Sequence, residues 1–181
     1  SDSSAHLILD AATIKHLSLT HHTDGSREHT LYKILNHCQT PMGQRLLEQW
    51  ILRPLRDFDQ IQSRHQTISR NIHMQLCIPS QTLLQQISDI ERIVSRIGLL
   101  TARPFDLLSL SHSLKIVPKI KDILKTIPGP SVNNLAAALV DCDPIFSQID
   151  ATIQLELLTE QQKLQHIKKK LAAQLGRIIL K

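Results

Sequence analysis

The sequence predicts an all-α fold, a multi-helical core followed by a long lever-like C-terminal helix. Hydrophobic residues make up 41% of the 181 residues, whereas aromatic residues make up 3% and glycines number five. This composition suits packed helices better than a sandwich or a barrel. We expect a disordered leader at residues 1–6, a helical core domain at 7–142 and the lever-like helix at 143–181. A helical spacing of apolar residues is clearest at Ile87, Ile90, Ile93, Val94, Ile97 and Leu100.

Capping residues place the elements of the first half. Asp10 is expected to cap one helical turn from Ala11, and residues 21–27 form a loop around Asp24-Gly25. Short helices are expected at about 30–36 and 41–52. Asp57 then caps a helix that runs to about Met74. Its apolar stripe is expected to face inward and contains Phe58, Ile61, Ile68 and Ile72.

Prolines punctuate the second half. The dipeptide Ile78-Pro79 breaks the chain, so that Ser80 caps a helix through Leu84 and Ile87. Pro104 opens the next helix, and Pro118 is expected to interrupt it. Asp143 as N-cap and Pro144 at the first helical position start the last helix. From Ile145 to about Leu175 there is no proline or glycine, which permits a rod of about 45 Å. A heptad-like seam along it contains Ile153, Leu157, Leu164, Leu171 and Ile178.

Residues 40–55 read as a sharply bounded helix with one wide apolar stripe. Thr40 is a good N-cap and Pro41 occupies the first helical position. Gly43 leaves room for another element to cross the first turn. Arg53 is forced out of helical geometry by Pro54, so the helix stops there. We expect this helix to be internal scaffolding, with the only tryptophan, Trp50, buried.

The same residues closely resemble the core of the MutS family of DNA mismatch-recognition proteins. Thr40-Pro41-Met42-Gly43, the following Arg45 and Leu46, Trp50 and Pro54-Leu55 all stand in the family's register. The likeness covers about residues 7–125 and fades from about residue 126. Further matching stretches are residues 9–13 with 17–20, residues 30–36, Asp89-Ile90-Glu91-Arg92-Ile93, and residues 101–107.

The resemblance implies a core and lever fragment that serves as a non-catalytic structural relay between a DNA-binding clamp and an ATPase. It implies a parent protein that uses ATP and Mg, binds mismatched duplex DNA through other domains, forms a homodimer and meets a MutL-type partner. The Thr-Pro-Met-Gly form looks bacterial, which favours a cytoplasmic location. The clamp is not recognisable in the sequence. Either it has been cut out between about residues 150 and 160, or the lever differs from the family pattern.

By resemblance the motif residues hold helices together and do not touch a ligand. Arg45, Arg53, Arg56 and Arg103 are candidates for ion pairs with Asp57, Asp59, Asp89 or Asp106. Pairs of this kind set geometry more dependably than they add stability. The predicted structural residues are Thr40, Pro41, Gly43, Arg45, Trp50, Pro54, Asp89, Glu91, Arg92, Arg103, Pro104 and Asp106.

Motifs for catalysis and for cofactor binding are not found in the sequence. There is no phosphate-binding glycine loop and no nucleophile elbow, so we expect no catalytic residue and no cofactor on this chain. His21, His22, His29, His37 and Cys38 cluster loosely without metal-ligand spacing, so we expect no metal site. The three widely spaced cysteines are expected to be small buried hydrophobes in a reducing compartment: Cys38, Cys77 and Cys142.

The net charge of +5 is concentrated at the C-terminal end. Lys168, Lys169 and Lys170 are the best candidates for weak contacts to DNA phosphates, and a solvated helix face is the alternative for them. An independent basic helical module that binds DNA, or a self-association segment that pairs through the seam, is the alternative function for the chain. No run of 18 apolar residues suggests a membrane span.

Overall fold

A computed structural model gives the fold and describes residues 6–156 and 170–172. The structure is all-α, which confirms the predicted fold class. An isolated antiparallel bridge joins His6 to Leu55 and ties the start of the described chain to the segment after the third helix. The helices are α1 (Ala11–His16), α2 (Leu31–Leu35), α3 (Pro41–Leu52), α4 (Phe58–His73), α5 (Cys77–Leu84), α6 (Ile90–Gly98), α7 (Pro104–Thr126), α8 (Pro130–Ala138) and α9 (Asp143–Glu156).

Side-chain caps start five of these helices. In each, the oxygen of the capping side chain accepts a hydrogen bond from the backbone N–H three residues later. The predicted starts of α1, α3 and α4 are therefore confirmed. The predicted end of α3 is confirmed as well, because Arg53 leaves helical geometry at φ −132° and ψ 70°. The capping residues are Asp10, Thr30, Thr40, Asp57 and Asp89.

The main core lies between α6, α7 and α9. Ile97 and Leu110 are fully buried, and Ile149 of α9 is 1% exposed against them. The predicted core helix is confirmed as α6, although it begins at Ile90 and not at Ile87. The buried members of this cluster, called here the α6–α7–α9 core, are Ile93, Ile97, Ala102, Leu107, Leu110, Leu114, Ile145, Ile149 and Leu171.

Pro118 does not interrupt α7, contrary to expectation. The helix continues for eight residues beyond it to Thr126. A proline inside a helix removes one hydrogen bond and costs about 3 kcal/mol or more. Apolar burial on both sides offsets this cost, since Leu114 and Ile116 are buried before Pro118 and Ile127 is buried after α7 ends.

Two other helix starts differ from the prediction. The fifth helix begins at Cys77 and not after Ser80, because Pro79 falls within its first turn, where the missing N–H is harmless. The ninth helix begins at Asp143, one residue early, since the carbonyl of Cys142 already accepts from Ile145 and Phe146. The first error came from treating Pro79 as a barrier to the helix instead of a first-turn residue.

The prediction that α3 is a buried helix was wrong. No residue of α3 or α4 is fully buried, and the Trp50 side chain is 44% exposed. The predicted inward face of α4 is also largely in solvent, at 71% for Phe58 and 55% for Ile68. The reason is position. These helices form the edge of the described fold, where α2 and α8 cover only part of each apolar stripe.

The predicted rod from residue 145 to 175 is described only in part. Within α9, Ile149 is buried and Ile153 packs against the α6–α7–α9 core. Leu171 is also buried in that core, so the described stretch at residues 170–172 packs onto it too. Three seam residues, Leu157, Leu164 and Ile178, lie outside the described residues.

The three cysteines are free and partly exposed, so the prediction of buried cysteines was wrong. Each lies at or near a helix end or in a loop. Among the helices that the structure describes, none is long and apolar enough to cross a membrane.

Candidate functional site

Arg45 joins α3 to the start of α6. Its guanidinium donates two parallel hydrogen bonds to the Asp89 carboxylate, with nitrogen–oxygen distances of 2.7 and 2.8 Å. Its Nε also donates to Glu91 at 2.9 Å. A guanidinium matches a carboxylate in this bidentate geometry, which fixes the rotation of one helix against the other. The link spans 44 residues of sequence.

Asp89 is also the N-cap of α6. Its Oδ1 accepts the Arg92 backbone N–H at 3.3 Å, while both oxygens bond to Arg45. The pKa of Asp89 is held below its ordinary value, first by the hydrogen bonds from Arg45. One carboxylate therefore couples the start of a helix to a contact with a distant helix.

Asp106 links α6 to α7 in the same manner. Arg96 of α6 donates to its two oxygens at 2.6 and 3.1 Å, and the Arg103 backbone N–H donates at 2.9 Å. The pKa of Asp106 is lowered, mainly by the hydrogen bonds from Arg96. Arg103, one of the four arginines predicted to pair with aspartates, contributes its backbone N–H to Asp106. Sequence reasoning missed Arg96, because this side chain reaches Asp106 only at one relative rotation of α6 and α7.

Asp150 links α9 to α7. The Ser111 hydroxyl donates to one oxygen of this carboxylate and the Lys115 ammonium donates to the other. These hydrogen bonds lower the pKa of Asp150, with Lys115 the larger cause. Ser111 and Lys115 stand four residues apart and therefore share a helix face. Sequence reasoning missed all three residues, because only the helix rotation in the fold brings them together.

These three links connect α3, α6, α7 and α9 in series. We call them the interhelical chain: Arg45 with Asp89 and Glu91, Arg96 with Asp106, and Asp150 with Ser111 and Lys115. The pKa values of Asp89, Asp106 and Asp150 are lowered, so the charged form of each aspartate is favoured. The carboxylates of Asp89 and Asp106 are mostly shielded, with side chains 18% and 15% exposed. Such pairs mainly specify how helices are oriented.

The other candidate ion pairs do not form. Within the described part of the chain, Arg53 and Arg56 make no ion pair with Asp57 or Asp59. The carboxylate of Asp57 instead caps α4 by accepting from the Gln60 N–H at 3.1 Å.

Gly43 is needed by its own loop and not by a crossing element. A Cβ placed there would come within 3.0 Å of Thr40 Oγ1 and 3.5 Å of the Cys38 Cβ. Thr40 Oγ1 is the atom that accepts the Gly43 N–H, also at 3.0 Å. The Thr-Pro-Met-Gly sequence therefore encodes a compact N-terminal cap.

A family model of MutS domain III matches residues 12–179. The chain belongs to the MutS family. The match extends through the C-terminal part, where likeness in the motifs fades, and so assigns α7, α8 and α9 to the same domain. MutS proteins are DNA mismatch-repair proteins, and domain III is not their ATPase domain. The family assignment implies interaction with DNA.

In this MutS domain, Trp50 lines a groove between the end of α3 and the faces of α4 and α8. Arg64 of α4 stacks over the indole, with its guanidinium carbon 3.8 Å from the ring centroid. The groove has a volume of about 740 Å³. We call it the Trp50 groove, and its apolar lining is Trp50, Pro54, Leu55, Ile61, Ile68, Val132 and Leu135.

The loop that contains His21 and His22 is held by hydrogen bonds to neighbouring residues in the described fold. Arg27 donates to His21 Nε2 at 2.8 Å and to Glu48 of α3 at 2.9 Å. His22 bonds to the Ser18 hydroxyl and to the Glu28 carbonyl. No group of three or more metal-ligating side chains occurs at positions that the structure describes. Lys168 and Lys169 lie outside these positions, and Lys170 is exposed.

Proposed function

We propose that this MutS domain is a non-catalytic relay that links the DNA-binding clamp to the ATPase of a mismatch-repair protein. The observation that supports this role most directly is the interhelical chain. It fastens four helices in series, from α3 at the edge of the fold to α9, and three of these helices, α6, α7 and α9, share an apolar core.

The attachment of α9 has the geometry that a relay needs. An α-helix is stiff along its axis because every turn is hydrogen-bonded to the next. Asp150 bonds to two residues on successive turns of α7, so α9 cannot rotate without moving or breaking these bonds. A displacement of α9 therefore passes to α7, and from α7 through Asp106 to α6. Calling this relay allosteric would require two states biased by two ligands.

The relay proposal assigns no chemistry to this chain. ATP and Mg are bound by the ATPase of the parent, and mismatched duplex DNA is gripped mainly by other domains. The parent acts as a homodimer in the cytoplasm with a MutL-type partner. Lys168, Lys169 and Lys170 add at most weak contacts to DNA phosphates.

The test compares two aspartates in a full-length MutS protein that carries this domain. Asp150→Asn removes the charge that holds α9 to Lys115, so stimulation of ATP hydrolysis by mismatched DNA should fall severalfold, with basal hydrolysis retained. The control is Asp122→Asn, since Asp122 is 76% exposed on α7 and, among the described residues, pairs with Lys125 on the same helix. Equal stimulation in Asp150→Asn and the parent protein would refute the relay role.

A binding experiment on the 181-residue chain tests the expectation that it binds neither ATP nor mismatched DNA tightly. Calorimetric titration with Mg-ATP should show no binding at micromolar concentrations, and mismatched duplex DNA should bind poorly near physiological salt. Tight ATP binding would contradict the proposal. A steep dependence of DNA affinity on salt would instead favour the independent DNA-binding module.

A further inference from the structure

The Trp50 groove exposes contiguous apolar surface that the relay does not use. Ile68 and Leu135 are each 55% exposed, on facing helices, and Val132 forms a buried floor. Ile61 and His65 also line an adjoining hollow next to Phe58, which is 71% exposed. Single exposed apolar residues are ordinary, but contiguous ones mark interaction surfaces.

The walls of the groove are held in place before anything binds. The hydroxyls of Ser63 on α4 and Ser131 on α8 are hydrogen-bonded to each other. Arg70 of α4 donates to the Pro128 carbonyl at 2.7 Å, just before α8. Two tethers therefore fix α4 against α8, and a preformed site costs a ligand less ordering.

The charged residue of the lining is Arg64, which lies among the neutral polar residues Gln60, Ser63, Thr67 and Ser131. Arg64 and His65 line the groove, and none of its thirteen lining residues is an aspartate or a glutamate. The acidic residues nearest in sequence, Asp57 and Asp59, are not part of the lining. Arg64 lies against Trp50 at the edge of the apolar surface. A ligand that fills the groove therefore meets positive charge beside apolar contacts.

We propose that the Trp50 groove binds an amphipathic helix of a protein partner, with an apolar ridge flanked by carboxylates. Helices recognised in this way insert apolar side chains spaced by three, four or seven residues into a hydrophobic groove. Glutamates or aspartates on the flank would pair with Arg64. A second copy of this chain is a poorer occupant, because a two-fold pairing of the groove with itself places Arg64 against Arg64.

The only tryptophan of the chain lies in the groove and therefore reports its occupancy. The probe is a synthetic 14-residue helical peptide with leucines on one ridge and glutamates on the flank. Its matched control carries lysines in place of the glutamates. Titration of the 181-residue chain should shift Trp50 emission to the blue, with the glutamate peptide binding about tenfold more tightly than the lysine peptide at low salt.

Variants assign this binding to the groove. Arg64→Glu should invert the preference between the two peptides, and Ile68→Glu should abolish the shift. Ile78→Glu is the control, since Ile78 is 75% exposed on α5, away from the lining. Circular dichroism verifies that each variant is folded.

Three results would overturn the proposal. They are no blue shift with the glutamate peptide, equal affinity for both peptides, or a shift that depends on protein concentration without peptide. The last result would assign the groove to a second copy of the chain. None of these results bears on the relay, whose test depends on Asp150.

Discussion

Two regions of this MutS domain carry the same type of apolar periodicity and end in different environments. In the α6–α7–α9 core, Ile97 is fully shielded from solvent by helices on either side. On the α3–α4 edge, Ile68 and Trp50 occupy comparable stripe positions and remain about half exposed. Both regions have well-defined helices with side-chain caps.

The difference shows that apolar periodicity identifies a helix face but does not decide whether that face is buried. A stripe at helical spacing shows which face of a helix is available for packing. Whether that face is covered depends on how many neighbours the fold supplies, and α3 and α4 lie where few are supplied. The exposed stripe is then a surface for a partner, whereas the buried stripe stabilises the domain.

The largest expected effect comes from two matched isoleucines. Ile97→Ala should lower the free energy of unfolding by about 2–5 kcal/mol, since it leaves a cavity in the core. Ile68→Ala should lower it by less than about 1 kcal/mol, because the side chain is already half in water. Urea unfolding followed by circular dichroism measures both. Equal losses of unfolding free energy in the two variants would contradict the distinction between the core and the α3–α4 edge.

A smaller effect is expected within the interhelical chain. Asp106→Ala removes the partner of Arg96 and leaves the Arg103 N–H uncapped, so it should destabilise the domain by about 1–2 kcal/mol. Asp122→Ala on the exposed side of α7 is the control and should change nothing measurable. If the two variants unfold at the same urea concentration, the link between α6 and α7 does not stabilise the fold.

Acidification should weaken the interhelical chain gradually. The pKa values of Asp89, Asp106 and Asp150 lie below their ordinary value of 3.8 in the folded protein. As pH falls, these three carboxylates take up protons in the unfolded chain before they do so in the folded protein. The stability that they contribute above their ordinary pKa is therefore lost as pH falls through the folded pKa values. Between about pH 5 and pH 2, Asp106→Asn should lose less stability than the parent chain. Identical pH profiles would contradict this linkage.

The smallest effect should come from the stacked pair on the edge. Arg64→Ala removes a cation–π contact worth about 0.5 kcal/mol at an exposed site. Trp50 emission should shift to the red because water replaces the guanidinium over the ring. A change in stability as large as that of Ile97→Ala would mean that the edge is part of the core.

The parts of the fold that depend on close neighbours in sequence were predictable. Caps such as Thr40 and Asp57 bond within three residues, so the residue types alone locate the helix starts. The partner of Asp106 was not predictable, since Arg96 reaches it only at one relative rotation of α6 and α7. The exposure of Trp50 was missed because it depends on elements distant in sequence. Family motifs identified Arg45 and Asp89, and the structure shows them in contact.

Pro118 removes one backbone hydrogen bond from the interior of α7. The turn around it lacks the hydrogen bond that residue 118 would make to the Leu114 carbonyl, so the helix bends most easily there. Ser111 and Lys115, which hold α9, precede this turn, whereas Lys121 follows it and donates to the Leu139 carbonyl just past α8. Pro118 therefore separates the part of α7 that holds α9 from the part that is tied to the end of α8.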